Sequence, residues 1–350
     1  MEIEKYKNKG LSGLANLGNT CFLNSAMQVL SHTYELNDFL NSNKFEKHLK
    51  NKFDSLLFIE WNNLRKQLWN ENCIISPNKF ISTFQKVAKV KGQELFTGFS
   101  QNDLPEFLIF IIDCFHNSIS REVSMKIEGT TKDDTDKLAI KCYETIKQMY
   151  EKDYSEIWKL FYGIQVSKIE KIANNEIVNI VPEPIFIINL PIPENNKSPS
   201  LLECFDLYTE SETLDGDNCL TCENTKEKFS AKKSTLFWSL PNILVIDIKR
   251  ANSQHKKNQV LVNFPLTELN LSKYVIGYNK TSYIYDLYGV CNHSGSQMGG
   301  HYTSFVKNAN GKWYHFNDTH VSEISMEQQI ITPKAYCFFY RKRTNKMNKF

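Results

Sequence analysis

The stretch Gly13-Leu-Ala-Asn-Leu-Gly-Asn-Thr-Cys-Phe-Leu-Asn24 constrains this chain most, because a turn rich in glycine and asparagine passes directly into an apolar helix that opens at a cysteine. Phe22, Leu23, Ala26, Met27, Val29 and Leu30 recur at helical intervals, whereas Gly13, Asn16, Gly18 and Asn19 are turn formers. Asn19 or Thr20 can cap such a helix. A thiol in the first turn meets unpaired backbone N–H groups and the positive end of the helix dipole, which favour thiolate. Cys21 is therefore a candidate nucleophile. The alternative is a buried structural cysteine, and a histidine partner elsewhere in the chain decides between them.

The histidine with the right surroundings lies near the other end. Tyr285-Asp-Leu-Tyr-Gly-Val-Cys-Asn-His-Ser-Gly-Ser-Gln-Met-Gly-Gly-His-Tyr-Thr-Ser-Phe305 reads as strand, glycine-rich loop, strand, with His301 at the junction. Gly295, Gly299 and Gly300 permit the close backbone approach that a narrow tunnel for an extended peptide requires. Lys312-Trp-Tyr-His-Phe-Asn-Asp-Thr-His-Val321 follows as a further strand that brings Asn317 or Asp318 beside the imidazole. Strand alternation turns Asn317 to the face opposite Phe316 and returns Asp318 toward the core side. Nucleophile, base and orienting group are the minimum for covalent acyl transfer.

Between these ends the texture changes from helical to strand-rich, which places the chain in the α+β class. Phe53–Trp69 reads as a core helix, and Ser76-Pro77 as the start of a helix running through Val87. In Ser100-Gln-Asn-Asp-Leu-Pro-Glu-Phe, Pro105 fits only a first turn, which sets a helix start near Ser100 to Asn102. Asp103 and Glu106 then share a face there, either compensating the dipole or binding a cationic ligand. Glu122–Asp136 reads as a loop and Leu138–Trp158 as an amphipathic helix. Short strands follow at 161–167, 177–181 and 185–190.

With 350 residues and 41% hydrophobic composition the chain can bury one large core. Its net charge of +3, carried by dispersed lysines, does not point to nucleic acid. No signal-peptide-like segment or membrane-length apolar run is seen, and the nine cysteines sit mostly in apolar runs, so reduced thiols in an intracellular compartment are expected.

The blocks around Cys21, Asp103 and His301 together resemble the ubiquitin-specific proteases, thiol deubiquitinases that cleave after the C-terminal Gly-Gly of ubiquitin. The resemblance implies a papain-like, right-hand architecture over 10–341: a helical thumb (10–120), an insertion and helix (121–158), fingers (159–238) and a palm (239–341), followed by a basic tail (342–350). It implies Cys21 as nucleophile, His301 as general base, Asn317 as third member of the triad with Asp318 nearby, and Asn16 as oxyanion donor. It also implies that Asp103 and Glu106 face the arginines of the ubiquitin tail, and that Gly299, Gly300 and Tyr302 line the tail channel. Ubiquitin and its conjugates are the implied partners of a monomer that uses no cofactor and binds neither nucleic acid nor membrane. An inactive ubiquitin-binding pseudoenzyme, or a protease for another ubiquitin-like modifier, are the alternatives.

The resemblance also carries departures. The family's fingers hold zinc with two cysteine pairs; here Cys219 and Cys222 form one, while the positions of the other, downstream of Phe161, Gly163 and Ser167, are Lys171 and Asn174. Even with Cys204 as a third thiol, the pair reads as a remnant and no metal is expected. The strand ending at Lys249-Arg250 carries Ile248 and Ala251 where the family has Leu and Phe, before the family-like Val262-Asn-Phe-Pro265 turn.

Overall fold

The computed structural model describes residues 3–98, 100–194, 196–222, 225–250, 257–296 and 299–343. Helix α1 (Cys21–Ser31) is its centre, and every one of its eleven residues is buried. A helix that is enclosed all round needs neighbours on all sides. They are α2 (Phe53–Asn70), α3 (Leu104–Ile119) and one face of a large sheet. Phe22 meets Phe107 of α3 edge-on at 5.3 Å, and the Ser25 hydroxyl donates to the Thr303 carbonyl at 2.9 Å.

The longer strands are β1 (Gly163–Lys171), β2 (Ile177–Ile185), β3 (Ile187–Leu190), β4 (Glu212–Leu214), β5 (Ala231–Ser239), β6 (Ile243–Ile248), β7 (Ile284–Ser296), β8 (Gly299–Lys307), β9 (Trp313–Asn317), β10 (His320–Ile324) and β11 (Ala335–Lys342). The large sheet runs β10-β9-β8-β7-β11-β6-β3, and a smaller one runs β2-β1-β5-β4. Alternation divides the large sheet. Tyr302, Val306 and Phe316 join the core around α1, whereas Leu244, Val290 and Phe338 join a second core on the opposite face. A third cluster, with Ile164, Val166 and Trp238 from the smaller sheet, is closed by α4 (Asp134–Asp153) through Ala139 and Cys142.

Several boundaries differ from the sequence reading for local reasons. The helix expected over Leu138–Trp158 is two, α4 and a short helix Glu156–Phe161, because Ser155 caps a new start by accepting the Trp158 N–H. Pro77 occupies the cap position of the helix Asn78–Val90, which runs one turn beyond Val87. Helix α3 begins at Leu104 with Asp103 at its cap position, so Pro105 is its second residue. The C-terminal strand continues through Lys342, and the Arg343 guanidinium bonds to Asp286 and Glu268 at 2.7 and 2.6 Å, so the fold extends past 341. Ala251 and the rest of the tail lie outside the described residues.

Candidate active site

The turn before α1 is built by Asn16. Its Oδ1 accepts from the N–H groups of Gly18 and Thr20, both at 3.1 Å, and from the Thr20 hydroxyl at 3.3 Å. That leaves Nδ2 as its outward donor. Thr20 stands at the cap position of α1 but makes no side-chain cap, because its hydroxyl is engaged backwards with Asn16 and with the Leu17 N–H. The unpaired N–H groups of the first turn are thus left for the Cys21 sulfur and for whatever binds in front of it.

Asp318 closes the turn from the other end of the chain. It sits in the turn between β9 and β10 with φ 49°, and this left-handed turn, beyond the end of the strand, aims its carboxylate at Asn16 and Asn24. Its Oδ2 accepts from Asn16 Nδ2 at 3.1 Å and its Oδ1 from Asn24 Nδ2 at 2.8 Å. Its carbonyl accepts the Leu14 N–H at 2.8 Å. Gly13 is what admits this turn: a Cβ there would lie 2.3 Å from the Thr319 carbonyl oxygen.

Asn317 points the opposite way and holds His301, with Nε2 2.6 Å from Oδ1. An amide oxygen only accepts, so Nε2 carries the proton and Nδ1 keeps its lone pair for use as a base. No hydrogen bond joins this imidazole to the Cys21 thiol among the described residues. Cys21 is only 3% exposed, and burial pushes its thiol above the usual range. A backbone hydrogen bond with Tyr302 and the N–H groups of Phe22 and Cys21 pull it down, while Asp318 adds to the rise. The helix start therefore acts in the expected direction but is outweighed by desolvation.

Asp103 and Glu106 separate. Glu106 is exposed on the first turn of α3. Asp103 is partly buried, accepts the Tyr336 hydroxyl at 2.9 Å and is pushed up by burial. With Tyr302, Arg250, Lys257 and Gln101 it lines a cavity of about 260 Å³ between α3 and the sheet. At the rim Gln101 bonds both backbone groups of Gly300, its Nε2 to the carbonyl at 2.6 Å and its Oε1 to the N–H at 2.5 Å. A Cβ on Gly300 would lie 2.3 Å from the Ser294 carbonyl oxygen, whereas one on Gly299 would meet Gln101 only at 3.5 Å. Gly295, with φ 123°, is equally tight, a Cβ there lying 2.5 Å from the Gly299 carbonyl oxygen, so the close approach expected of the three glycines belongs to Gly295 and Gly300 and not to Gly299.

Among the described residues the fingers hold no cluster of three or more His, Cys, Asp or Glu side chains that fits a metal ion. The Lys171 ammonium pairs with Glu176 at 2.8 Å and lies 5.5 Å over the Phe229 ring. Cys204 is buried in the second core, where burial pushes its thiol up to about 11. Two thiols with an ammonium and an amide in the other knuckle are not a zinc donor set.

Sequence reasoning missed Asn24, Gln101 and Tyr336. The signal for Asn24 was present: a polar residue one turn after Cys21 in an otherwise apolar run needs a buried partner. Gln101 and Tyr336 carry no signal until the strands are in place.

The sequence model of the family described as ubiquitin carboxyl-terminal hydrolase matches residues 12–340. Ubiquitin carboxyl-terminal hydrolase 2 of Homo sapiens is 33% identical over 343 residues, covering 95% of this chain and 55% of the relative. Ubiquitin carboxyl-terminal hydrolase 21 of Homo sapiens is 30% identical over 360 residues, covering 95% and 61%. The chain thus spans little more than half the length of these relatives. Among solved structures, Ubp8 in the SAGA DUB module bound to monoubiquitin is 26% identical with a TM-score of 0.74, covering 98% of this chain and 71% of that one. A further structure of that module is bound to ubiquitin aldehyde, with 25% identity, a TM-score of 0.74 and coverage of 97% and 71%. The chain belongs to the ubiquitin carboxyl-terminal hydrolase family, with a catalytic domain of the ubiquitin-specific protease type.

Proposed function

We propose that this chain is a cysteine-type deubiquitinase that hydrolyses the isopeptide or peptide bond after the C-terminal glycine of ubiquitin. The observation that carries the reading is the pair of opposed side chains at 317 and 318: Asn317 fixes the tautomer of His301, and Asp318 fixes the donor end of Asn16 beside Cys21. The solved relatives bound to monoubiquitin and to ubiquitin aldehyde support the substrate.

In the reaction so read, the imidazole moves from its resting position to the thiol, and Nδ1 takes the proton as sulfur attacks the glycine carbonyl carbon. Negative charge collects on the carbonyl oxygen, where the Cys21 N–H and Asn16 Nδ2 donate. Such a donor contributes on the order of a hundredfold in rate. Collapse breaks the C–N bond, and the imidazolium returns its proton to the leaving amine. Water, deprotonated by His301, then releases ubiquitin from the thioester. Substrate entry displaces water from a site whose thiol burial already pushes up, so thiolate forms as the base arrives.

Asp103, Tyr302 and Gly300 border the channel for the ubiquitin tail, Asp103 supplying a partly buried carboxylate and Glu106 a solvent-exposed one. The divisions at 10–120, 121–158, 159–238 and 239–341 serve as thumb, linking helix, fingers and palm. The protein acts as a monomer inside the cell; the buried Cys114, Cys142, Cys204, Cys291 and Cys337, none of them in a disulfide, support the reducing compartment. No described helix is long and apolar enough to cross a membrane. Hydrolysis of ubiquitin carrying a C-terminal aminocoumarin by the chain, and its loss in Cys21→Ser, tests the reading; retained turnover in that variant refutes it.

A further inference from the structure

Beyond His301, on the side away from α1, a second and larger cavity of about 680 Å³ opens against the sheet. His301 and Asn317 form one wall, and Lys257 and Lys334 stand at its margin. Among the described residues none of those lining it is acidic. Burial holds His293 down at about 4 and lowers His315, so these two rings add no charge; Lys257, which burial lowers to about 8, donates to the His293 carbonyl at 2.6 Å, and Lys334 is the exposed ammonium group of the cavity margin. Asn292 also lines this cavity; it is 3% exposed, and both atoms of its amide are buried without a partner. A buried amide with neither bond made costs free energy unless something enters to satisfy it.

The reaction chemistry says what enters. Resting on the deubiquitinase reading, the acyl half of the substrate comes through the Asp103 cavity, lined by Tyr302 on the α1 side of β8, while His301 faces the other way from the same strand. The bond that breaks joins the glycine carbonyl carbon to the acceptor nitrogen, and the proton lost from His301 goes to that nitrogen. The acceptor nitrogen must therefore stand at the imidazole, and the residues attached to it must lie in the space beyond.

We infer that the cavity bounded by His301, Asn317, Lys257 and Lys334 is the leaving-group subsite, and that it selects acceptor lysines flanked by acidic residues. Asn292 serves the acceptor backbone, and the ammonium groups meet the flanking carboxylates. The same field disfavours a protonated lysine amine after cleavage and so assists its departure.

Ubiquitin joined by isopeptide bonds to two lysine peptides, one with Asp and Glu flanks and one with Lys and Arg flanks, tests the assignment. The acidic acceptor is expected to show kcat/KM higher by about fivefold or more at low salt, the difference shrinking as salt rises. Lys334 is exposed, so charge can be changed there without disturbing the core. Lys334→Gln is expected to reduce the preference and Lys334→Glu to invert it. Equal kcat/KM for the two conjugates, or a preference untouched by both variants, overturns the subsite while hydrolysis of ubiquitin–aminocoumarin leaves the deubiquitinase reading standing. Failure of the wild-type chain to hydrolyse ubiquitin–aminocoumarin removes both.

Discussion

Asp318 and Asn16, 302 positions apart in the chain, meet at 3.1 Å, so that the residue after the histidine-orienting Asn317 does not touch the histidine but aims the amide in front of Cys21. One turn thus serves two parts of the site from its two faces. Asn317→Ala should lower kcat moderately by releasing the imidazole, and Asn317→Asp should preserve activity, since either side chain accepts from Nε2. Asp318→Ala should cost more, about a hundredfold in kcat, because Asn16 loses its anchor. It should also lower Tm, because Asn24 is left with an unmade bond at a buried helix. Steady-state kinetics of the three variants checks this; a fully active Asp318→Ala with a dead Asn317→Asp contradicts it.

The two acids of α3 should not behave alike. Asp103→Ala removes a partly buried carboxylate held by Tyr336 and should raise KM, with a loss of about 1 to 3 kcal/mol that weakens in high salt. Glu106→Ala, from an exposed position, should cost under about 1 kcal/mol. KM measured for both at two ionic strengths decides; equal effects refute the distinction.

Asp247 makes folding stability fall with pH. It is 8% exposed in β6, one of its oxygens has no partner, and burial together with Asp103 pushes its carboxyl up from 3.8 to about 7. A carboxyl raised on folding holds its proton in the native chain after the unfolded chain has lost it. Its contribution is therefore fully present below about pH 4 and is lost as pH rises through about 7, a change on the order of a few kcal/mol. Thermal unfolding of the wild type and Asp247→Asn between pH 5 and 8 checks this. The variant should lack the decline, and parallel profiles would show that Asp247 does not titrate in this range.

Removing metal should change nothing in the fingers, and restoring ligands should change much. Lys171→Cys with Asn174→Cys creates the second thiol pair and should bind one zinc per chain by elemental analysis, whereas the unaltered chain holds substoichiometric zinc and keeps its activity in chelator. One tightly bound zinc in the unaltered chain refutes the account of Lys171 and Glu176.

Much of this was legible in the residues because it is periodic or local. The apolar spacing after Cys21 announced a buried helix, and alternation from Phe316 assigned Asn317 to the opposite face before any contact was known, whereas Asp318 is aimed by the turn beyond the strand end. What was not legible depends on neighbours brought in by the fold. The dipole argument for a low Cys21 pKa omitted desolvation, which only the packing of α1 against α3 and the sheet reveals. The division between Asp103 and Glu106 likewise depends on Tyr336, over two hundred residues away.

The central claim is that Cys21 is a nucleophile armed only in the presence of its substrate. Incubation with ubiquitin bearing a C-terminal electrophile, followed by peptide mass spectrometry, should find one adduct per chain, on Cys21, and none in Cys21→Ser. Free iodoacetamide should alkylate Cys21 slowly at neutral pH and faster as pH rises, because burial pushes the thiol up. An adduct on any other cysteine, or no adduct on a folded chain, would contradict the account.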